Sequence, residues 1–260
     1  EYENIMGNNP SSATLKNATE GEIQKCRPVE NISWYEAIVY CNRLSIKKGL
    51  TPCYIIQGID NFETLPNSEI PTEYNENWDN VVFDSTADGY RLPTEAEWEF
   101  AFKKKKKTYG TSSFKEDSGI DIALVEWNII NSDGKTHEVK LKTPNSLSFF
   151  DIGGNVHELC WDWRKEIEAE EITNPKGDKN GSKRVIRGGS FNSSLENNSF
   201  LERSGILPYD KDSSIGMRIA RSISSSSSSE SETNSYTINY ISAYGQRPDP
   251  INLYEGNILT

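Results

Sequence analysis

The sequence predicts an α+β domain on three observations: two capping boxes that each open an apolar run, short strand-like segments after them, and enough chain for one core. At 260 residues, 35% hydrophobic and 10% aromatic, the chain suits a globular domain with polar loops. In the first box Ser33 and Glu36 stand at S-x-x-E spacing, so that the serine oxygen and the glutamate carboxylate each satisfy a free backbone N–H. Trp34, Ala37, Ile38, Cys41 and Leu44 follow at spacings of three and four, which places them on one buried face. Lys47 and Lys48 suit the negative helix end, and Gly49 supplies a left-handed stop. Thr94 and Glu97 repeat the device for a second helix, with Trp98, Phe100 and Phe102 near the core. The five bases Lys103 to Lys107 read as its solvated end, favoured by the helix dipole; the alternative is a contact for an anionic polymer or lipid headgroups.

The rest reads as strands and long loops. Ser222 to Thr233 is rich in Ser and Glu and is expected to be a flexible linker. Tyr236 to Gly245 then alternates apolar and polar residues as a strand does. The expected organisation is a main domain over 1–221, a linker over 222–234 and a small second unit over 235–260. The 28 basic and 39 acidic residues give a net charge of −11, which disfavours non-specific nucleic-acid binding. No apolar run approaches the roughly 18 residues that span a bilayer. Beginning at Glu1 with neither an initiator methionine nor a signal peptide, the chain reads as an excised fragment.

Five motifs in one order carry a resemblance: Pro28-Val-Glu-Asn-Ile-Ser-Trp34, Tyr90-Arg-Leu-Pro-Thr-Glu-Ala-Glu-Trp98, Asp151-Ile-Gly-Gly-Asn-Val-His-Glu158, Arg187-Gly-Gly-Ser-Phe191 and Gly216-Met-Arg-Ile219. Together they resemble the formylglycine-generating enzyme family, also called sulfatase-modifying factors, over roughly residues 2 to 222. The resemblance implies an elaborated C-type-lectin-like fold, with two main helices, short antiparallel strands and long loops. It also implies a strand or two before Tyr2 to Pro10, so an amino-terminal edge is expected to be missing. The tail from Tyr236 through Pro248 to Thr260 resembles the first half of an internalin-type B repeat, a small β-grasp-like module; the alternative is a disordered tail with a chance hairpin.

Active members of the family use two cysteines, separated by four residues and placed soon after the Arg-Gly-Gly-Ser strand, to bind copper and react with oxygen and a substrate cysteine. Thiolates suit that work because they are soft ligands for Cu(I) and exchange with thiols. The matching positions here are Ser193 and Asn198, so no catalytic residue and no copper are expected. Of the cysteines present, Cys41 and Cys160 read as packing residues, and none of Cys26, Cys41, Cys53 and Cys160 has C-x-x-C spacing. A disulfide such as Cys26 to Cys53 stays open in a secreted protein. His137 and His157 are the only histidines and each stands alone, while Ser190 lacks a G-x-S-x-G elbow.

In the family the segment matching Asp151 to Glu158 binds calcium. The resemblance therefore implies a structural calcium held by the Asp151 side chain, the Gly154 and Val156 carbonyls and the Glu158 carboxylate. A strand turn with solvated acids is the plainer alternative. A second family calcium site would draw on the region of Asn128. With metal and helices as scaffold, ligand contact is expected from the irregular loop between Phe191 and Asp212: Phe191, Asn192, Ser194, Leu195, Asn197, Asn198 and Phe200, with Tyr209. The resulting expectation is a non-enzymatic binding or display domain of a secreted or cell-surface bacterial-type protein, with an unknown protein or glycan as ligand. The alternatives are an oxidoreductase of the family acting on a protein or peptide, and a structural stalk.

Overall fold

The computed structural model describes residues 1–12, 19–103, 122–166, 177, 180–194, 203–223, 235–238 and 251–254. In chain order the elements are α1 (Tyr2–Met6), α2 (Trp34–Lys47), β1 (Tyr54–Ile55), α3 (Glu76–Asp79), β2 (Val82–Phe83), β3 (Tyr90–Arg91) and α4 (Glu95–Lys103). The strands β4 (His157–Trp163), β5 (Arg184–Arg187), β6 (Arg203–Ile206), β7 (Ile215–Met217), β8 (Ala220–Ile223), β9 (Ser235–Ile238) and β10 (Ile251–Tyr254) follow. Few helices and small sheets make this α+β.

Both capping boxes form. Ser33 N–H donates to Glu36 Oε2 at 2.9 Å and Glu36 N–H to Ser33 Oγ at 3.1 Å. Thr94 N–H donates to Glu97 Oε2 at 2.9 Å and Glu97 N–H to Thr94 Oγ1 at 3.2 Å. Gly49 takes φ 68 just past α2, the left-handed stop its position calls for. The expectation of one buried face on α2 is too narrow. Trp34, Ala37, Ile38, Cys41 and Leu44 are fully buried, and Tyr35, Val39, Tyr40, Asn42 and Ser45 are buried with them. The reason is tertiary: Tyr2 of α1 stacks on Tyr40 at 5.1 Å, Trp78 of α3 meets Tyr35 at 5.3 Å, and Ser45 Oγ accepts the Tyr90 N–H at 2.7 Å.

A four-stranded sheet in the order β6-β5-β4-β7 lies against this helix, with β4 antiparallel to β5 and parallel to β7. Leu159, Ile186 and Ile215 bring its strands into the α2 cluster. Arg184 is buried between the Trp34 and Trp163 rings, 3.6 and 3.5 Å from their centroids, and Arg184 Nη1 donates to the Trp161 carbonyl at 2.8 Å. Burial pushes that guanidinium down to about 9, and the carboxylate of Asp79 opposes the shift. A second, smaller cluster joins Trp98, Ala101 and Phe102 of α4 to Phe149, Ile152, Cys160 and Val185.

The second four-stranded sheet runs β10-β9-β8-β3. Strand β8 includes Ser222 and Ile223, the first residues of the stretch read as linker, and pairs them with Tyr236 and Ser235 of β9. The rest of that stretch, and Lys104 to Lys107, lie outside the described residues. Among the described residues no helix is long and apolar enough to cross a membrane.

Candidate functional site

Strand β5 delivers Arg187 to a Gly-Gly turn. Gly188 takes φ 93, and a Cβ there would stand 2.9 Å from the Ile152 carbonyl oxygen and 3.0 Å from the Trp98 ring, so only glycine fits. The chain then closes on itself. Ser193 N–H donates to the Ser190 carbonyl at 3.0 Å, and Ser190 N–H donates to Ser193 Oγ at 3.0 Å. Ser193 thus supplies a buried hydroxyl that fastens a turn.

Neighbouring segments grip this turn. Phe191 N–H donates to the Asn155 carbonyl at 2.9 Å, Ile129 N–H to the Ser193 carbonyl at 3.2 Å, and Ser132 Oγ to the Phe191 carbonyl at 2.6 Å. Of the residues expected to meet a ligand, Asn192 and Ser194 are exposed on the turn. Phe191 is buried beside them at 8% exposure. Tyr209 is half-buried against the α2 cluster. Leu195, Asn197, Asn198 and Phe200 lie outside the described residues. The stretch from Phe191 to Asp212 is also less irregular than expected, since β6 runs through it and pairs with β5.

The octapeptide from Asp151 to Glu158 is tied to the same turn by the Gly154 N–H, which donates to the Gly188 carbonyl at 2.8 Å. Its two acids are in different states. Asp151 Oδ2 accepts the Lys140 N–H at 2.8 Å, but the buried Oδ1 has no hydrogen-bond partner among the described residues. Burial pushes its carboxyl up to about 6, opposed by the Lys140 N–H and the Arg218 charge and assisted by Glu158. Glu158 is saturated instead: Oε2 accepts from Trp98 Nε1 at 2.6 Å and Arg218 Nε at 2.7 Å, and Oε1 accepts from Arg218 Nη2. The same guanidinium reaches the Phe150 carbonyl at 3.2 Å.

Against a calcium ion, this set fits at one end. Asp151 offers a desolvated oxygen with no hydrogen-bond partner among the described residues, while Glu158 is already paired with Arg218. Asp151, Val156, Glu158 and Arg218 line a cleft walled by Tyr2 and Tyr40. Near Asn128, Oδ1 accepts the Ile130 N–H and Nδ2 donates to Glu126 Oε1, both at 2.9 Å. Among the described residues no group of three or more His, Cys, Asp or Glu is placed to hold a metal.

Charge frames the turn from the side of α4. Glu95 takes Arg203 Nε and Nη2 at 2.6 and 2.8 Å, and Arg187 lies 3.6 Å from Glu95 and 3.7 Å from Glu99. Asp162 Oδ2 accepts the Glu95 N–H at 2.7 Å. Burial, with the Glu95 and Glu97 carboxylates adding to it, pushes Asp162 up to about 7. Sequence reasoning also missed Trp127, stacked on His137 at 3.8 Å and covered by Lys142 Nζ at 3.5 Å. His137 Nδ1 lies 2.7 Å from Glu22 Oε1, and its N–H donates to Asn155 Oδ1 at 3.0 Å. The partners are too far apart in the chain for spacing to signal them.

All four cysteines are unpaired, so Cys26 and Cys53 are not bridged. Burial pushes the Cys41 and Cys160 thiols far up and Cys53 to about 11. Cys26 is raised by burial and by Glu138. None of these thiols is a ready thiolate near neutral pH.

The model of the sulfatase-modifying factor enzyme 1-like domain matches residues 1–223. Among curated proteins, the chain is 34% identical over 209 residues to the chaperone protein LppX of Paenibacillus barcinonensis, covering 75% of this chain and 66% of that protein. It is 34% identical over 124 residues to the formylglycine-generating enzyme of Bos taurus, covering 44% of this chain and 33% of the enzyme. Among solved structures, Treponema denticola variable protein 1 is similar with a TM-score of 0.77 at 40% identity, covering 85% of this chain and 80% of that one. CarF is similar with a TM-score of 0.57 at 26% identity, covering 76% and 69%. With the match spanning nearly all of the described domain, the chain belongs to the sulfatase-modifying factor enzyme 1-like domain family.

Proposed function

We propose that this domain is a non-catalytic binding or display module of a secreted or cell-surface bacterial-type protein, contacting a ligand through the segment from Phe191 to Asp212. One observation carries the reading: Ser193, at the place of the first family cysteine, spends its hydroxyl on the Ser190 N–H at 3.0 Å. A serine so used neither binds Cu(I) nor exchanges with a substrate thiol. The turn it closes is a rigid base that presents Asn192 and Ser194, in the manner of a loop on a lectin-like scaffold. The likeness to a Treponema protein titled a variable protein, and to a relative named a chaperone, supports a role in contact rather than oxidation. Calcium is part of the same reading, as a brace at Asp151 assisted by the Gly154 and Val156 carbonyls. Glu158, shared with Arg218, adds little, so this brace is weaker than a full set of four protein ligands gives.

The test is an array of glycans and secreted proteins probed with the domain and with an Asn192→Ala, Ser194→Ala double variant. The expected result is a small set of specific binders whose signal falls in the double variant while the fold is unchanged by circular dichroism. Binders indifferent to both substitutions would place the contact elsewhere.

A further inference from the structure

His137 is buried at 4% exposure and each nitrogen of its ring meets an oxygen: Nδ1 lies 2.7 Å from Glu22 Oε1, and Nε2 lies 2.7 Å from the Ser132 carbonyl oxygen. A carbonyl only accepts. Glu22 is committed to accepting as well, since its Oε2 already takes the Glu138 N–H at 3.0 Å and stands 3.5 Å from Arg27 Nη2. Burial works against the Glu22 charge, but the His137 ring, the Glu138 N–H and the Arg27 guanidinium together hold its carboxyl below the usual carboxylate range. A neutral imidazole donates from one nitrogen and leaves a lone pair on the other, which here would face an oxygen lone pair at 2.7 Å. Only the imidazolium satisfies both contacts. The Trp127 ring, stacked on His137 at 3.8 Å, offers that cation its π face.

The ring is joined to the base of the turn that presents Asn192 and Ser194. Ser132, whose carbonyl faces Nε2, donates its Oγ–H to the Phe191 carbonyl at 2.6 Å. Asn155 holds the His137 backbone in both directions, Oδ1 accepting its N–H at 3.0 Å and Nδ2 donating to its carbonyl at 3.1 Å, while the Asn155 carbonyl takes the Phe191 N–H at 2.9 Å. The charged groups around the ring come from several segments. Glu22 and Arg27 approach from the amino-terminal segment, and Glu138 is the next residue, its carboxylate accepting the Ile23 N–H. Lys142 stands 3.5 Å from the same indole and donates to the Ala123 carbonyl, Asp133 and Lys135 pair with each other at 3.2 Å, and the 151–158 octapeptide meets His137 with the neutral Asn155. Glu22 is the charge in direct contact with the ring, whereas Arg27 reaches the other oxygen of Glu22.

We propose that His137 is held as the imidazolium and acts as a proton-operated fastener, its two N–H bonds tying the Glu22 segment to the base of the Asn192 turn. With the proton on, the turn is stiff; once the proton is lost, either Glu22 or the Ser132 carbonyl loses its donor and the turn loosens. The stabilisation is therefore present in acid and falls as pH rises, as for any group whose proton-bound form the fold favours. The fastener stands apart from the reading of Phe191 to Asp212 as a contact segment, which adds only that a ligand meets a stiffer turn at lower pH.

The test follows the whole chain, isotopically labelled, by long-range proton–nitrogen spectra of the histidine rings and by amide exchange between about pH 5 and about pH 8, the span in which imidazoles change charge. His137→Gln assigns the ring signals. Both ring nitrogens of His137 are expected to carry protons at the acid end. The protection factors of the Phe191 and Ser193 amides, which discount the intrinsic pH dependence of exchange, should fall by about tenfold or more once one proton is gone. Glu22→Gln separates a proton switch from plain packing. Its amide oxygen keeps the Glu138 N–H and its NH2 donates to a neutral Nδ1, so protection should stay level across the range with the melting temperature at the alkaline end retained. Asp162 is present in every chain compared and cancels. A bare ring nitrogen on wild-type His137 throughout the range, or a fall in protection that is as steep in Glu22→Gln as in wild type, would overturn the fastener and leave the contact reading standing. A fall that Glu22→Gln abolishes supports the fastener even where an array of glycans and proteins yields no binder, a result that counts against the contact reading alone.

Discussion

Helices α2 and α4 open with the same device and are used differently. Each starts with a hydroxyl residue and a glutamate three positions on, and both boxes close. In α2 the box is followed by apolar side chains buried on almost every side, so the helix is fixed by packing. In α4 the acids reach outward to arginines on other strands: Glu97 to Arg91 of β3, Glu95 to Arg203 of β6, and Glu95 with Glu99 to Arg187 of β5. One helix anchors the core, and the other clamps the strands on either side of the candidate contact segment. An identical local signal thus says where a helix begins but not what it holds.

The contrast is open to direct attack. The largest effect is expected where packing alone is in charge: Ile38→Ala, at a fully buried position, should lose about 2–5 kcal/mol in urea unfolding, and a loss under about 1 would mean that α2 is not the anchor. On the α4 side, Glu95→Ala removes the partner of Arg203 and a neighbour of Arg187, and should cost about 2–3 kcal/mol. It should also speed amide exchange from Arg187 to Ser194. Ile38→Ala sharpens the comparison if it destabilises the whole domain without singling out that segment.

Asp162 gives the α4 side a pH dependence below neutrality. Its folded value, raised from 3.8 to about 7 by burial, means that the folded state keeps a proton the unfolded chain has lost. Stability from this group therefore falls as pH rises through that window, by about 2 kcal/mol between about pH 5 and about pH 7. Asp162→Asn keeps an acceptor for the Glu95 N–H and should flatten the profile; an unchanged slope would assign it to other groups. The smallest effects belong to the caps. Ser33→Ala and Thr94→Ala should each cost about 1 kcal/mol, matching one another because the local device is the same.

What the sequence makes legible follows the range of the interaction. Capping boxes, apolar spacing and the stop at Gly49 act within a few residues, and they placed α2 and α4. The five ordered motifs led to the family because each meets its neighbours through strand pairing and turns. The all-round burial of α2 could not be read from periodicity, since it depends on Tyr2, Trp78 and Tyr90 closing over the outer side. Arg218 on Glu158 was hidden for the same reason: 60 residues separate them, and neither identity shows that an internal cation meets the acid expected to hold calcium. The burial of Phe191 was equally out of reach, because the Asn155 carbonyl and the Ser132 hydroxyl that hold its backbone inward come from distant segments. The pairing of Ser190 with Ser193 did have a local signal, two serines three apart around a turn, but it was read for missing thiols rather than for the bond it makes.

The central claim is that a structural serine turn stands where the family's redox chemistry would begin. The most direct measurement is a Cu(I) titration of the purified domain against a competing chelator under anaerobic conditions, followed by oxygen uptake with a cysteine-containing peptide on admission of air. No stoichiometric copper and no oxygen uptake above the peptide-alone rate are expected, with Ser193→Ala lowering stability and leaving both readings unchanged. One tightly held copper per chain with peptide-dependent oxygen consumption would contradict the claim and make the domain an oxidase.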